Sequence, residues 1–239
     1  MENLSKNKIK LIRSLRLKKN RDSEQLFVVE GEKIITEILA EQPDSIEFVC
    51  SSDAKFQFER SYFTDDRGMK EISSLKNPGN LLAVVRFPQN KSNEGDLILA
   101  LDGIQDPGNL GTIIRTAEWF GISTIVCSKD TVDCFNSKVV QATMGSLFRM
   151  SIRYVDLSDF LSKTDLPIYG ALLDGIDMYS TPIEKKGILV IGNEGKGISD
   201  EIKTFVTNPI FIPKYGEAES LNAAMATGII LAEYRRGYS

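Results

Sequence analysis

Hydrophobic residues in the second half of the chain form short continuous runs that alternate with helical spacings. The runs at 97–101, 124–127, 167–173, 187–191 and 209–212 predict buried strands, and the segments at 110–120, 137–143, 157–161 and 199–205 predict helices. Apolar strands separated by helices are typical of a parallel sheet that is covered on both faces. We therefore predict an α/β domain built on a parallel sheet.

The first half alternates less regularly. It predicts strands at 26–29, 46–50 and 81–85, helices at 3–17, 32–41 and 69–75, a short helix at 56–60 and a polar loop at 18–25. This is the pattern of a second, smaller α/β domain. Residues 87–95 are rich in Pro, Asn, Ser and Gly and form the best linker candidate. The expected domains are therefore residues 1–90 and 91–239.

The last predicted strand leads through a small-residue loop into a long final helix. Ser220 is a good N-cap residue type, and the predicted apolar face comprises Leu221, Ala224, Met225, Gly228, Ile229 and Ala232. A capped core helix explains the apolar face. It leaves unexplained why Ser220 and Asn222 flank one leucine at the mouth of a strand-to-helix loop, where α/β proteins place ligands.

The amino-acid composition excludes several kinds of catalysis. The 239 residues include no histidine and three cysteines, with a net charge of −4. Catalysis by a Ser-His or Cys-His pair is excluded, and the cysteines lack metal or redox spacing. We expect buried free thiols and no metal site. No apolar run approaches the length of a membrane span, and the N-terminus lacks a signal-peptide core, so we expect a cytoplasmic protein without membrane contact.

Charge is unevenly distributed despite the modest total. Residues 1–21 contain eight Lys or Arg side chains against Glu2 alone. Such a segment is either an electrostatic handle for phosphates or an ordinary solvated basic helix face.

The stretch 101–117 joins a strand to a helix through a Pro-Gly turn. Asn109 is placed to cap this helix, and Arg115 points away from its apolar stripe. Arg115 is therefore either a solvated charge or a ligand for an anion.

A glycine-rich loop follows the strand at 187–191. Its glycines, at 192, 195 and 197, match neither the P-loop nor the dinucleotide fingerprint. What remains is a loop around Glu194 whose backbone can approach a ligand closely. This loop, the 101–117 loop and the loop before the final helix all follow predicted parallel strands, whose carboxyl ends border the ligand crevice of open α/β sheets.

These three motifs together resemble those of the SpoU family, RNA ribose 2′-O-methyltransferases of the SPOUT superfamily. The motifs are Asn109-Leu110-Gly111 to Arg115, Gly192-Asn193-Glu194-Gly195, and Ser220-Leu221-Asn222. The segment 141–149 is similar to the family's middle segment, with Thr143 where Ser is more usual. Residues 1–90 more loosely resemble the family's ribosomal-protein-like RNA-binding domain.

The resemblance implies an S-adenosylmethionine-dependent homodimer with a deep trefoil knot in its C-terminal domain. It implies transfer of a methyl group to a ribose 2′-hydroxyl, with ribosomal RNA preferred and transfer RNA as the alternative target. A non-catalytic RNA-binding protein is the competing class. The implied cofactor-binding residues are Leu172, Gly192, Asn193, Gly195, Ile212, Ser220 and Leu221. The implied catalytic residues are Asn109, Arg115, Glu194, Ser220 and Asn222, and the implied dimer interface comprises the 221–232 helix face and Tyr234.

By the resemblance, Arg115 matches the family's motif arginine, which is proposed to act on the ribose 2′-hydroxyl. An ordinary guanidinium cannot accept a proton, so we expect Arg115 to hold phosphate and stabilise the developing alkoxide, with an RNA phosphate helping as base. Glu194 as general base is the alternative. The sequence does not identify the nucleotide that is methylated.

Overall fold

The computed structural model describes residues 1–88, 95–180 and 182–238. The chain divides into two compact units, one of Met1–Gln89 with Phe135–Phe148 and the other of Asn90–Cys134 with Arg149–Ser239. Most of the predicted linker, and the predicted boundary between residues 90 and 91, lie outside the described residues.

The first unit contains a mixed five-stranded sheet in the order β1-β4-β3-β5-β2. Strand β3 runs parallel to β4 and antiparallel to β5. Its elements from the first half of the chain are β1 Glu2–Asn3, α1 Lys6–Ser14, α2 Lys18–Glu24, β2 Leu26–Glu30, α3 Glu32–Glu41, β3 Ile46–Ser51, β4 Ser61–Phe63, α4 Asp66–Ile72 and β5 Leu81–Arg86.

Two local predictions for this unit are wrong. Residues 18–24 form helix α2 rather than a loop, because side chains within it hold it against the end of α1. Asn20 donates to the Ser14 carbonyl over 2.8 Å, and the buried Arg21 donates to the Leu15 carbonyl over 2.8 Å. Residues 56–60 are irregular rather than helical, and they lead into the short strand β4, which the sequence did not predict.

The described residues of the second half of the chain form six further strands, all paired in parallel in the order β11-β9-β10-β6-β7-β8. The strands are β6 Leu97–Asp102, β7 Thr124–Ser128, β8 Ser151–Val155, β9 Ile168–Asp177, β10 Gly187–Gly192 and β11 Asn208–Phe211. The helices are α5 Pro107–Trp119, α6 Ser137–Thr143, α7 Leu157–Ser162, α8 Asp200–Lys203 and α9 Ala223–Arg236. The predicted parallel sheet is confirmed, with β8 as an additional strand.

The core of the second unit lies along the strands that the sequence made continuously apolar. Every residue of β6 and β7 is buried, as are the first five of β10. None of the described helices is both long and apolar enough to cross a bilayer. The two-part α/β architecture is thus as predicted, and the knot stays a prediction from the family resemblance.

Helix α6 and its flanks belong to the first unit although they lie far along the chain. The ring of Phe135 packs 4.8 Å from that of Phe27 and 4.0 Å from that of Phe87, and the ring of Phe148 lies 5.8 Å from Phe27. The Gln141 amide donates to the Glu30 carbonyl over 2.8 Å. The segment 135–148 therefore completes the aromatic core of the first unit.

A fragment of residues 1–88 should consequently be unstable in isolation. Without Phe135 and Phe148, the fully buried Phe27 loses two ring neighbours, and truncating buried aromatic contacts costs on the order of 3 kcal/mol. We expect broad, weakly cooperative thermal unfolding by circular dichroism. The control is the same fragment joined to residues 135–148 by a flexible linker, and equal cooperativity in the two proteins would contradict the assignment.

Candidate functional site

The site lies where the strand order reverses. From β6 the chain continues outward through β7 and β8, then returns so that β10 pairs with the opposite edge of β6. In open parallel sheets, ligands bind beyond the carboxyl ends of the strands at such a switch point. The loops after β6 and β10 meet there, and β11 ends at the same sheet edge, beyond β9.

Asn109 is not the N-cap of α5, contrary to the sequence prediction. Asp106 takes that position, accepting from the Asn109 backbone N–H over 2.8 Å, and Pro107 occupies the first helical turn. An acidic cap followed by proline is a favoured helix start. The Asn109 side chain is thereby released from capping and points to other partners.

Those partners come from the two other motifs. Asn109 Nδ2 donates to Glu194 Oε1 over 2.8 Å, and Asn109 Oδ1 accepts from Asn222 Nδ2 over 2.8 Å. One amide thus connects residues that are 85 and 113 positions away in sequence. A network in which each amide both donates and accepts fixes the orientation of all three side chains.

Asn193 organises the glycine-rich loop. Its Nδ2 donates to the Gly103 carbonyl over 2.7 Å, and its Oδ1 accepts from the backbone N–H groups of Gly195 and Lys196. Its backbone also pairs with Gly197 in both directions. The loop is therefore a closed turn anchored to the end of β6.

No side chain larger than that of glycine fits at position 192. A Cβ atom there would lie 2.1 Å from the Ile198 nitrogen and 2.2 Å from the Gly197 carbonyl carbon, both backbone atoms. The returning limb of the loop therefore packs directly on the glycine backbone. A side chain at this position would push the two limbs of the loop apart.

The N-cap of helix α9 lies two residues later than predicted. Asn222, not Ser220, is its N-cap, accepting from the N–H groups of Ala224 and Met225, and Ser220 lies exposed in the preceding loop. The same Asn222 amide donates to Asn109. A single side chain therefore starts the final helix and joins it to the site.

The buried face of α9 also differs from the prediction. Leu221 and Met225 are 49% and 60% exposed, and of the six predicted positions only Ala224 is buried. Packing uses a face shifted around the helix, namely Ala223, Ala224, Thr227, Ile230, Leu231 and Tyr234. Tyr234 is buried and donates to the Lys185 carbonyl, so it is unavailable as the interface residue that the sequence suggested.

Arg115 is exposed, as its helical position predicted. The Arg115 side chain forms no hydrogen bond or ion pair with any part of the chain that the structure describes. Its guanidinium therefore keeps all its donors for an external group, and such a group would have to be an acceptor or an anion.

The other residues expected to bind the cofactor lie on or beside different elements of the second unit. Leu172 lies where β9 departs from β11, because the register jumps from Gly170 to Ile176 across a single step of β11. It packs on the core cluster and is half-buried, as is Ile212 just after β11. Leu221 immediately precedes the cap of α9. These residues are apolar; Leu172 lies in β9, Ile212 follows β11, and Leu221 precedes α9.

Two carboxylates that shape the site were not singled out from the sequence. The buried Asp102 accepts from the Ser199 N–H over 2.7 Å, which ties the end of β6 to the segment after the glycine-rich loop. Asp106 caps α5, and the Asp-Pro pair before an apolar helical stripe was the signal for it. Asp102 gave no comparable local signal.

The cysteines take no part in this site. All three are buried free thiols, as expected. Burial raises the pKa of Cys50 to about 12 and that of Cys127 well above its ordinary value. Neither thiol can supply a thiolate nucleophile near neutral pH.

Family models match both parts of the chain. The SpoU rRNA Methylase family model matches residues 96–232, and a model described as an MRM3-like substrate binding domain matches residues 6–83. The segment 135–148 thus falls within the methylase match in sequence, although it packs in the first unit.

Individual relatives match over nearly the whole chain. The 23S rRNA (guanosine(2553)-2′-O)-methyltransferase RlmP of Bacillus subtilis is 29% identical and covers 98% of both chains. A TrmH-family protein from Porphyromonas gingivalis is 38% identical with a TM-score of 0.89, covering 98% of this chain and 99% of its own. An AdoMet-bound rRNA methyltransferase from Sinorhizobium meliloti is 31% identical with a TM-score of 0.85, covering 100% and 98%.

Proposed function

Because this chain belongs to the SpoU rRNA methylase family, we propose that it methylates a ribose 2′-hydroxyl of ribosomal RNA with S-adenosylmethionine as methyl donor. The observation that carries the proposal is the hydrogen-bonded set Asn109, Glu194 and Asn222 at the switch point, with Arg115 exposed on the same helix as Asn109. Full-length similarity to a 23S rRNA methyltransferase favours ribosomal over transfer RNA. Methyl incorporation into ribosomal and transfer RNA from a strain lacking the protein tests it.

The residues present suit the cofactor. Gly192, with no room for a Cβ, together with Asn193 and Gly195, offers loop backbone to the edges of an adenine, and Leu172, Ile212 and Leu221 offer apolar surface to its faces. We assign Ser220 to the same pocket. The bound cofactor supplies an electrophilic methyl group on a sulfonium sulfur.

The protein's own residues activate the ribose 2′-hydroxyl. Arg115 presents its fork to the RNA phosphate and stabilises negative charge that develops on the 2′-oxygen. Asn109, Asn222 and Ser220 orient the ribose. Glu194 holds Asn109 in place by accepting its amide N–H. The proton of the 2′-hydroxyl leaves to an RNA phosphate oxygen in this scheme.

Replacing Glu194 by Gln separates this scheme from one in which Glu194 is the general base. Gln can still accept from Asn109 Nδ2, so we expect the rate to fall about tenfold or less and the shape of the pH–rate profile to persist. Glu201→Gln, at an exposed carboxylate on α8, is the control. Disappearance of the acidic limb together with a loss of about 10²-fold or more would identify Glu194 as the base instead.

The exposed side of α9 supports a homodimer. Leu221, just before the cap of α9, and Met225, in the first turn of α9, place large apolar side chains in solvent. Exposed apolar patches of this kind mark association surfaces.

Sedimentation should therefore give a dimer at micromolar concentration, and Met225→Glu should shift it to monomer, because a charge would be desolvated in the interface. The control Leu17→Glu changes another exposed large apolar side chain, in the first unit. A wild-type monomer at that concentration would contradict the dimer.

We assign residues 1–90 to RNA substrate binding and 91–239 to methyl transfer, and we place the protein in the cytoplasm. The match of residues 6–83 to a substrate-binding domain supports the first assignment. The cytoplasmic placement rests on the proposed ribosomal RNA substrate.

A further inference from the structure

Some of the eight Lys and Arg side chains in residues 1–21 stabilise the fold of the first unit. Arg21 is only 5% exposed, and its Nη1 donates to the carbonyls of Leu15 and Arg16 at 2.8 and 2.9 Å. Arg16 Nη2 donates to the Ser73 carbonyl over 2.9 Å, just beyond the last turn of α4. Both guanidiniums bind backbone carbonyls of their own unit, so neither is a general handle for phosphates.

Lys8 is a third structural cation. Its Nζ lies 4.5 Å from the ring centroids of both Phe48 and Tyr62, which pack edge to face. A half-buried ammonium over two aromatic faces is stabilised where it is by attraction to the rings. Moving it to an external phosphate would forfeit that contact.

The remaining cations of α1 lie on its outer face. Lys6, Lys10 and Arg13 are exposed and occupy positions i, i+4 and i+7, which share one side of a helix. Lys6 and Lys10 have no polar partner within the described parts of the chain. Arg13 pairs with Glu71 at 3.1 Å, but both side chains are half-exposed, and an exposed ion pair of this kind contributes little to stability. An incoming phosphate can therefore replace Glu71.

We propose that this basic face, defined as Lys6, Lys10 and Arg13, is a contact surface for the RNA sugar-phosphate backbone. The proposal rests on the proposed function and names the surface by which the first unit holds its substrate. Four residues of helix rise by about 6 Å, which lets successive side chains reach separate phosphates along a strand. Contacts of this kind fix position and register without reading sequence.

The apolar side of α1 argues against a membrane as the partner. Ile12 is 1% exposed, and Leu15, which follows the helix, is 2% exposed, so these residues are committed to the core of the unit. A helix that binds a bilayer needs such residues for insertion. What α1 presents outward is charge, which is complementary to a polyphosphate backbone.

Salt-dependent binding to a 20-base-pair RNA duplex of arbitrary sequence tests the basic face. For the full-length Lys6→Gln/Lys10→Gln protein we expect about tenfold weaker binding at 0.1 M salt. Its slope of log K against log salt should be shallower by about 1–2, because two phosphate contacts are lost. The charge-matched control is Lys33→Gln/Lys55→Gln, which removes two exposed lysines of the same unit off this face; it should bind within about twofold of wild type.

Unchanged affinity and slope in the Lys6/Lys10 variant would overturn the proposal, as would an equal loss in the control. Binding to phosphatidylserine vesicles that falls in the Lys6/Lys10 variant while duplex binding stays intact would assign the face to membranes and overturn it too. With ribosomal RNA as substrate, the loss should appear in KM rather than in kcat. If the wild type methylates no RNA but the variant still loses duplex binding, the surface stands and the proposed function fails.

Discussion

Arg115→Ala protein should bind S-adenosylmethionine within about twofold of wild type and lose about 10²- to 10³-fold in methyl transfer. Arg115 is exposed and has no partner among the described residues, so its removal leaves no internal hydrogen bond unmade. The expected loss is that of a donor aimed at charge developing in the transition state. Calorimetric cofactor titration and single-turnover methylation measure the two effects separately.

Two variants control for charge and shape. Arg115→Lys keeps the charge but loses the planar fork, so it should recover only part of the activity. Arg236→Ala removes another exposed arginine, one that pairs with Glu233 at the far end of α9, and should methylate normally. Wild-type turnover in Arg115→Ala would remove Arg115 from the mechanism, whereas loss of cofactor binding would make it a pocket residue.

The second large effect is expected from Gly192→Ala, which should weaken cofactor binding by about 10- to 100-fold. The new methyl group would lie 2.1–2.5 Å from backbone atoms of Gly197 and Ile198, none of which can rotate away. The loop must therefore move, and the turn that Asn193 closes moves with it. Strain and lost contacts of about 1.4–2.8 kcal/mol correspond to that range of affinity.

A glycine outside the site provides the control. In Gly79→Ala the added methyl group would meet no atom within 4 Å, so cofactor affinity should change little. Calorimetry on both variants, with thermal unfolding to confirm folding, makes the comparison. Equal affinity in Gly192→Ala and wild type would show that the loop's shape is not what holds the cofactor.

The elements predicted best are those with the strongest local pattern. Strands β6, β7 and β10 are continuous apolar runs, and the structure buries them on both faces of a parallel sheet. Helix α6 spans the predicted residues. In these segments, burial and local propensity favour the same structure, so no long-range information was needed.

Where the sequence prediction failed, a contact with residues outside the segment decided the structure. Residues 18–24 are polar throughout and predicted a loop, but Asn20 and Arg21 hold them as a helix through carbonyls of the preceding segment. Strands β4 and β8 are short, and neither has a distinct burial pattern, since all three residues of β4 and four of the five in β8 are half-buried. Pairing with a neighbouring strand is what makes such segments extended.

The candidate site shows the same contrast between local sequence patterns and contacts made only in the folded chain. The sequence by itself determined which residue types follow the strands β6, β10 and β11, because glycine loops, caps and helical stripes are local patterns. Only the tertiary structure decided that Asn109 joins Glu194 and Asn222 instead of capping α5, and that α9 turns Leu221 and Met225 outward. Those outcomes depend on the register and order of strands far apart in the chain, and hydrophobic periodicity carries no information about register between distant segments.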